Sequence, residues 1–241
     1  MKNKILKTSL LRVIWACIFA RYLNPVFSQN LPVSSYSLPI INSVSLYRES
    51  LLNHPEKQME PLTQIPGIIM DLRYATANNF MHKKLYPANT KISFLRKVVF
   101  QALDSVAAEL SHRGLVLVIF DAYRPYRITV DLWIPIQDER YAANPAKGSG
   151  HNRGIAVDLT LADSKTHQLL YMPTGYDSFS DSAHQDFKGT DINRIANREL
   201  LKQVMVKYGF VPLSTEWWHF SWPCPEKFEV LDLSFEQLEK S

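Results

Sequence analysis

Two imidazoles and two carboxylates in this chain are spaced so that they could hold and use a metal ion. His151 falls in Ser149-Gly150-His151-Asn152-Arg153-Gly154, a loop that leads into the segment Ile155–Leu161, which contains Asp158. Ile155, Val157, Leu159 and Leu161 alternate there with Ala156, Asp158 and Thr160. That is the period of a strand with one apolar face, and it sets Asp158 on the other face. Imidazole and carboxylate both suit zinc, and three protein ligands with one open position make a catalytic site. By itself a His and an Asp at this spacing is a common coincidence, best explained as a core strand with a loop histidine.

The second cluster is Glu216-Trp217-Trp218-His219. A strand over Trp217–Trp222 puts Trp218, Phe220 and Trp222 on one face and leaves His219 and Ser221 opposite. His219 completes a His, Asp, His set if this strand neighbours that of Asp158. In a continuous strand Glu216 would face away from His219. It must therefore sit in the bend after Pro212, turned toward a metal-bound water without ligating. A carboxylate there can act as general base once zinc has lowered the pKa of water toward ~7. The third cluster, Asp121-Ala122-Tyr123-Arg124-Pro125-Tyr126, closes an apolar run. Pro125 disfavours helical geometry at Arg124 and holds it extended at a strand-to-helix junction. A fixed guanidinium beside a metal is a good partner for a developing oxyanion, and Asp121 can orient it. Taken singly, an aromatic core strand with a surface Glu and a solvated turn arginine are the commoner readings.

Elements must bring these clusters together. Ser93–Arg113 reads as the clearest helix, with Leu95, Val98, Val99, Ala102, Val106 and Leu110 recurring at helical spacing, Ser93 as cap and Gly114 as stop. Leu115–Phe120 is short and unbroken enough for a buried central strand. A second helix fits Asp191–Tyr208, with Ile192, Ile195, Ala196, Leu200, Val204 and Tyr208 on one stripe and Gly209 as its end. A short helix over Tyr47–His54 and an extended arm over Gln29–Ser45 precede them. Strands, a long helix, more strands and another helix indicate an α+β fold. The expected architecture is a single domain, a central mainly antiparallel sheet with helices packed on it and the metal site on one sheet face.

The 241 residues are 46% hydrophobic and 21% charged, which excludes a disordered or fibrous chain. No apolar run reaches the roughly 18 residues of a transmembrane helix. The net charge of +4 is concentrated at one end. Lys2, Lys4, Lys7, Arg12 and Arg21 stand in the first 28 residues with no acid; removing these five from 27 Lys and Arg leaves 22 against 23 Asp and Glu. The rest of the chain is near neutral, which argues against nucleic acid or an anionic membrane as partner. Early lysines, the apolar stretch Leu10–Ala20 and Val26-Phe27-Ser28 read as a signal peptide over 1–28 with Gln29 as the mature start, and hence an exported, periplasmic protein. Cytoplasmic location is the alternative. An N-terminal arm then covers 29–60 and the catalytic domain 61–241. Of the two cysteines, Cys17 leaves with the leader, and Cys224 reads as a lone structural thiol.

Taken together, the clusters resemble the D-alanyl-D-alanine dipeptidases of the vancomycin-resistance type, within the zinc peptidase group that includes D,D-carboxypeptidases and hedgehog-like domains. Ser149, His151 and Asp158 meet the group's Ser-x-His pattern with an Asp after six further residues, and Glu216 and His219 meet its Glu-x-x-His. Asp71-Leu72-Arg73-Tyr74-Ala75-Thr76 with Asn79-Phe80, then Tyr123-Arg124-Pro125, then Met172-Pro173-Thr174-Gly175-Tyr176-Asp177 with Ala183-His184, are similar to dipeptidase stretches in the same order. The resemblance implies one zinc per subunit held by His151, Asp158 and His219, Glu216 as catalytic base and Arg124 as transition-state stabiliser. It further implies Asp177 at the substrate's free amino end and Ser149 lining the pocket. The implied reaction is hydrolysis of D-alanyl-D-alanine or related D-configured dipeptides; the alternative is a D,D- or L,D-carboxypeptidase trimming longer cell-wall peptides. Resistance-type members work in the cytoplasm, and this leader departs from them. His54, His82, His112 and His167 read as surface residues, His184 as a support of the pocket loop, and Arg73, Tyr74 and Asn79 as fixing the architecture around the site.

Overall fold

The computed structural model describes residues 31–223 and 225–241. The expectations for the leader, Cys17, the Gln29 start and Cys224 lie outside the described residues. The arm enters as β1 (Ile40–Ile41), followed by helix α1 (Val44–Leu51), which Ser43 caps by accepting from Leu46 N–H. Next come β2 (Met59–Pro61) and β3 (Ile68–Met70). Strand β4 (Phe94–Arg96) runs directly into α2 (Lys97–Ser111), and Gly114, at φ 70°, turns the chain into β5 (Leu115–Asp121). The second half holds α3 (Tyr126–Ile136), β6 (Ala156–Asp163), α4 (Ile192–Lys207), β7 (Val211–Pro212), β8 (His219–Ser221), β9 (Val230–Leu231) and α5 (Phe235–Glu239).

Five strands form the central sheet in the order β3-β5-β6-β8-β7, with β3 and β5 parallel and every other pair antiparallel. This is the α+β arrangement that the pattern of elements predicts. Two small pairs flank it, β2 antiparallel to β4 and β1 parallel to β9. The apolar face of α2, including Val99, Leu103, Val106 and Leu110, is fully buried. No described helix is long and apolar enough to cross a membrane.

Three local expectations are corrected. Ser93 does not cap α2: its hydroxyl accepts from Tyr123 N–H at 3.0 Å and ties β4 to the loop after β5, while α2 starts after Arg96 with no side-chain cap. On α4 the buried residues are Arg198, Leu201, Val204 and Met205, and Ile192 is 72% exposed. Arg198 can be buried because its Nη1 donates to the carbonyls of His184 and Phe187. The strand expected over Trp217–Trp222 is shorter, because Trp217 and Trp218 belong to the β7–β8 turn.

Candidate metal and catalytic site

Strand register assembles the site. In β6 and β8, Asp158 pairs directly with His219. A bulge in β5 between Ile119 and Asp121 brings Asp121 opposite Asp158 on the other side. Residues that oppose one another across antiparallel strands share a face, so Asp121, Asp158 and His219 form one row across three strands. His151 joins them from the loop before β6, where Gly150 lets the chain pass: a Cβ there would sit 2.8 Å from the Ala156 Cβ. The resulting separations are 2.9 Å for His219 Nδ1 to Asp158 Oδ1, 3.4 Å for His151 Nε2 to Asp158 Oδ1, and 3.3 Å between the two nitrogens.

The remaining expected residues surround this trio, in a cavity of about 410 Å³. Glu216 occupies the β7–β8 turn, with Oε2 3.9 Å from His219 Nδ1. Arg124 is buried; its Nε and Nη2 both donate to Asp121 Oδ2, at 2.9 and 2.7 Å, and Tyr86 OH donates to Asp121 Oδ1 at 2.7 Å. Pro125 is the residue before α3, so Arg124 stands at a strand-to-helix junction as its sequence implies. Asp177 adopts a left-handed φ of 58° and accepts from Phe80 N–H at 3.3 Å and Tyr74 OH at 3.5 Å. Ser149 accepts from Asn152 N–H at 3.2 Å and lines the cavity. Among the other histidines, His82, His112 and His167 are exposed and His54 is part-exposed. His184 is also part-exposed, and contributes its carbonyl to Arg198.

The family profile described as D-ala-D-ala dipeptidase matches residues 56–229. The chain belongs to the D-ala-D-ala dipeptidase family. It is 35% identical to the D-alanyl-D-alanine dipeptidase of Escherichia coli (strain K12) over 166 residues, 69% of this chain and 84% of that protein. To the D-alanyl-D-alanine dipeptidase of Enterococcus faecalis (strain ATCC 700802 / V583) it is 30% identical over 175 residues, 64% of this chain and 85% of that protein. Among solved structures, VanYB in complex with D-Alanine-D-Alanine covers 56% of this chain and 74% of its own at 15% identity and a TM-score of 0.37, too loose a likeness to add to the sequence match.

A metallopeptidase of this family needs a metal, and the donor set fits one. Ligand atoms bonded at ~2.0–2.2 Å to a tetrahedral ion lie about 3.3–3.6 Å apart; two separations here, 3.3 and 3.4 Å, lie in that range, and the third, 2.9 Å between His219 and Asp158, is a hydrogen-bond distance that a bound ion would widen. Each donor's other polar atom already has a partner. His151 Nδ1 donates to the Ala122 carbonyl at 2.7 Å, His219 Nε2 shares a hydrogen bond of 2.9 Å with Ser221 Oγ, and Tyr176 OH donates to Asp158 Oδ2 at 3.0 Å. Such outer contacts fix the imidazole tautomers and turn the free lone pairs inward.

Charge and burial act unevenly across the site. Burial raises the Asp158 carboxyl, but His151 and His219 outweigh it and hold the group below the usual carboxylate range. Burial lowers His219, but the hydrogen bond to Asp158 wins and its pKa rises. Burial pushes Glu216 up, and pushes Asp177 up to about 7 with help from the nearby charge of Asp158. Burial would lower Arg124, yet Asp121 holds it firmly cationic.

Several supporting residues escape a reading of the sequence. Asn152 is buried beside His151; its Nδ2 donates to the Arg124 carbonyl and to Thr129 Oγ1, both at 2.8 Å, so one amide joins the histidine loop to the arginine loop. Gln185 Nε2 donates to the carbonyls of Glu216 and Trp217, each at 3.3 Å, and its backbone N–H donates to Ser214, which pins the turn that carries Glu216. Tyr176, adjacent to Asp177, was visible in the sequence only as a neighbour of that residue. Tyr74 and Asn79 do fix the surroundings: Asn79 Nδ2 reaches the carbonyls of Arg73, Thr76 and Lys83.

Proposed function

We propose that this protein hydrolyses D-alanyl-D-alanine, or closely related D-configured dipeptides, to free amino acids, using one zinc ion held by His151, Asp158 and His219. The observation that carries the reading is the convergence of Nε2, Oδ1 and Nδ1 of those three residues beside the Glu216 carboxylate. Two imidazoles and a carboxylate are a common zinc donor set, and bound zinc would polarise the scissile carbonyl and make water more acidic. Glu216 takes a proton from the attacking water and returns it to the nitrogen of the leaving amino acid. Its burial favours this exchange, since a carboxyl with a raised pKa holds a proton more readily. Arg124, fixed by its two bonds to Asp121, presents its guanidinium to the oxyanion that develops.

A free dipeptide carries an ammonium group at its amino end, and Asp177 is the carboxylate we assign to it. Ser149 lines the same pocket. The basic, apolar leader supports export to the periplasm with Gln29 as the mature start, which fractionation and N-terminal sequencing of the native protein would test. The catalytic reading is tested with protein beginning at Gln29 and supplied with zinc, by comparing hydrolysis of D-Ala-D-Ala with that of a cell-wall pentapeptide ending in D-Ala-D-Ala. Cleavage of the dipeptide and not the pentapeptide is expected. Cleavage of the pentapeptide would make the protein a carboxypeptidase and leave Asp177 without its role.

A further inference from the structure

We infer that Phe80, Tyr141 and Phe179 form an aromatic clasp across the cavity that excludes any substrate extended beyond its amino end. The inference rests on the dipeptide reading and on the assignment of Asp177 to the substrate ammonium. The three residues come from three separate loops, after β3, after α3 and after β6, and all line the site cavity. Phe179 is the bridge: its ring centroid lies 5.1 Å from that of Phe80 and 4.7 Å from that of Tyr141. Phe179 is 43% and Tyr141 36% exposed, which places the contact where the cavity meets solvent. Loop aromatics this accessible are not needed to fill the core, and here they meet one another.

Each arm of the clasp is fixed by its own loop. The three carbonyl contacts of Asn79 hold the backbone just before Phe80. Glu139 is held at one oxygen by Asn144 Nδ2 at 2.9 Å and at the other by Lys147 Nζ at 2.6 Å, which closes the loop carrying Tyr141. Phe179 follows Asp177 by two residues, and Phe80 donates its backbone N–H to the Asp177 carboxylate. The group assigned to the substrate ammonium is therefore attached at both sides to the clasp. An acyl group or further residue on the substrate nitrogen would replace the ammonium with a neutral amide and push its next atoms toward the rings. Aromatic rings give that extra peptide group no hydrogen bond in exchange for water, so the extension is rejected on shape and on polarity together.

The test compares kcat/KM for D-Ala-D-Ala, N-acetyl-D-Ala-D-Ala and D-Ala-D-Ala-D-Ala in the zinc-loaded wild type, Phe179→Ala, the Tyr141→Ala/Phe179→Ala double variant, and Phe179→Tyr. Opening the clasp should raise the ratio of extended to free dipeptide by about 10-fold or more, the scale on which pocket contacts discriminate. Phe179→Tyr, which keeps a ring, should retain the wild-type ratio. A ratio unchanged in both alanine variants, while wild type cleaves the dipeptide, overturns the clasp and leaves the dipeptidase reading standing. If wild type cleaves none of the three, the dipeptidase reading fails. Calorimetric binding of the same ligands to the wild type and the alanine variants then decides the clasp, with loss of discrimination in the variants supporting it and equal discrimination overturning it. Equal cleavage of all three by wild type overturns both.

Discussion

Asp158 and Glu216 are carboxylates facing the same two histidines, and burial leaves them with opposite net shifts. Asp158 accepts from Tyr176 and sits against both imidazoles, so it stays ionised, the state the proposed ligand role requires. Glu216 lies farther out, gains less from His219, and is pushed up. Glu216→Ala should therefore leave bound metal near one per chain by elemental analysis while turnover falls by about 10²–10⁴-fold. Loss of the metal in that variant would instead make Glu216 a ligand. Asp177 gives a pH signature of its own. Its native pKa is about 7 against 3.8 for the ordinary carboxyl, so across that window the folded, metal-free protein holds a proton that the unfolded chain has lost. Stability from this group is full below the lower value and declines as pH rises through the upper one. In urea unfolding of metal-free protein, Asp177→Asn should gain on wild type between pH 5 and pH 8; an equal difference at both pH values would show that Asp177 titrates normally.

At the scale of elements, the strand carrying Asp158 and the helix after β4 were legible because alternation and helical spacing are direct imprints of burial. The bend holding Glu216 was legible too, since a continuous strand could not aim both Glu216 and His219 at one point. The bulge after Ile119 was not, because Phe120 is an ordinary strand residue and nothing in its type marks a change of register. The buried face of α4 departs from its sequence pattern for a related reason: periodicity assigns a guanidinium to solvent, whereas the carbonyls of His184 and Phe187 accept from Arg198 in the interior. The turn between β7 and β8 depends on another unmarked contact. Three bonds from Gln185, two from its side-chain amide to the carbonyls of Glu216 and Trp217 and one from its N–H to that of Ser214, clamp it to the loop before α4 together with the bond from Trp217 N–H to the Ala183 carbonyl. Gln185→Leu should lower kcat about 10–100-fold by loosening Glu216, since small misplacements of a reacting group cost on that scale. Metal content should not change, because no ligand is in that turn; a kcat equal to wild type would show that the turn is held without Gln185.

For the molecule as a whole, a metal held at the proposed site would be a ligand of the folded state. The three donors also bond to one another directly and the core is continuous through the sheet, so the metal-free chain should remain folded. Binding at about 100-fold over Kd adds ~2.7 kcal/mol, which for a chain of this size is about 5–10 °C in Tm. Calorimetric melts with and without chelator should show that shift as a single transition, fully restored by added zinc; no shift would mean that the metal contributes nothing to the fold. The chain also braces its site with a segment that follows it in sequence. β1 pairs in parallel with β9, Ile40 against Val230, and the Leu231 N–H donates to the Asn152 carbonyl beside His151. Leu233 exchanges hydrogen bonds with Tyr123 OH next to Arg124. The loops that carry His151 and Arg124 are thus braced by a segment that the ribosome makes after both of them. A nascent chain holds an unbraced site until residues 230–233 emerge, and a product released before them is a peptidase that was never finished.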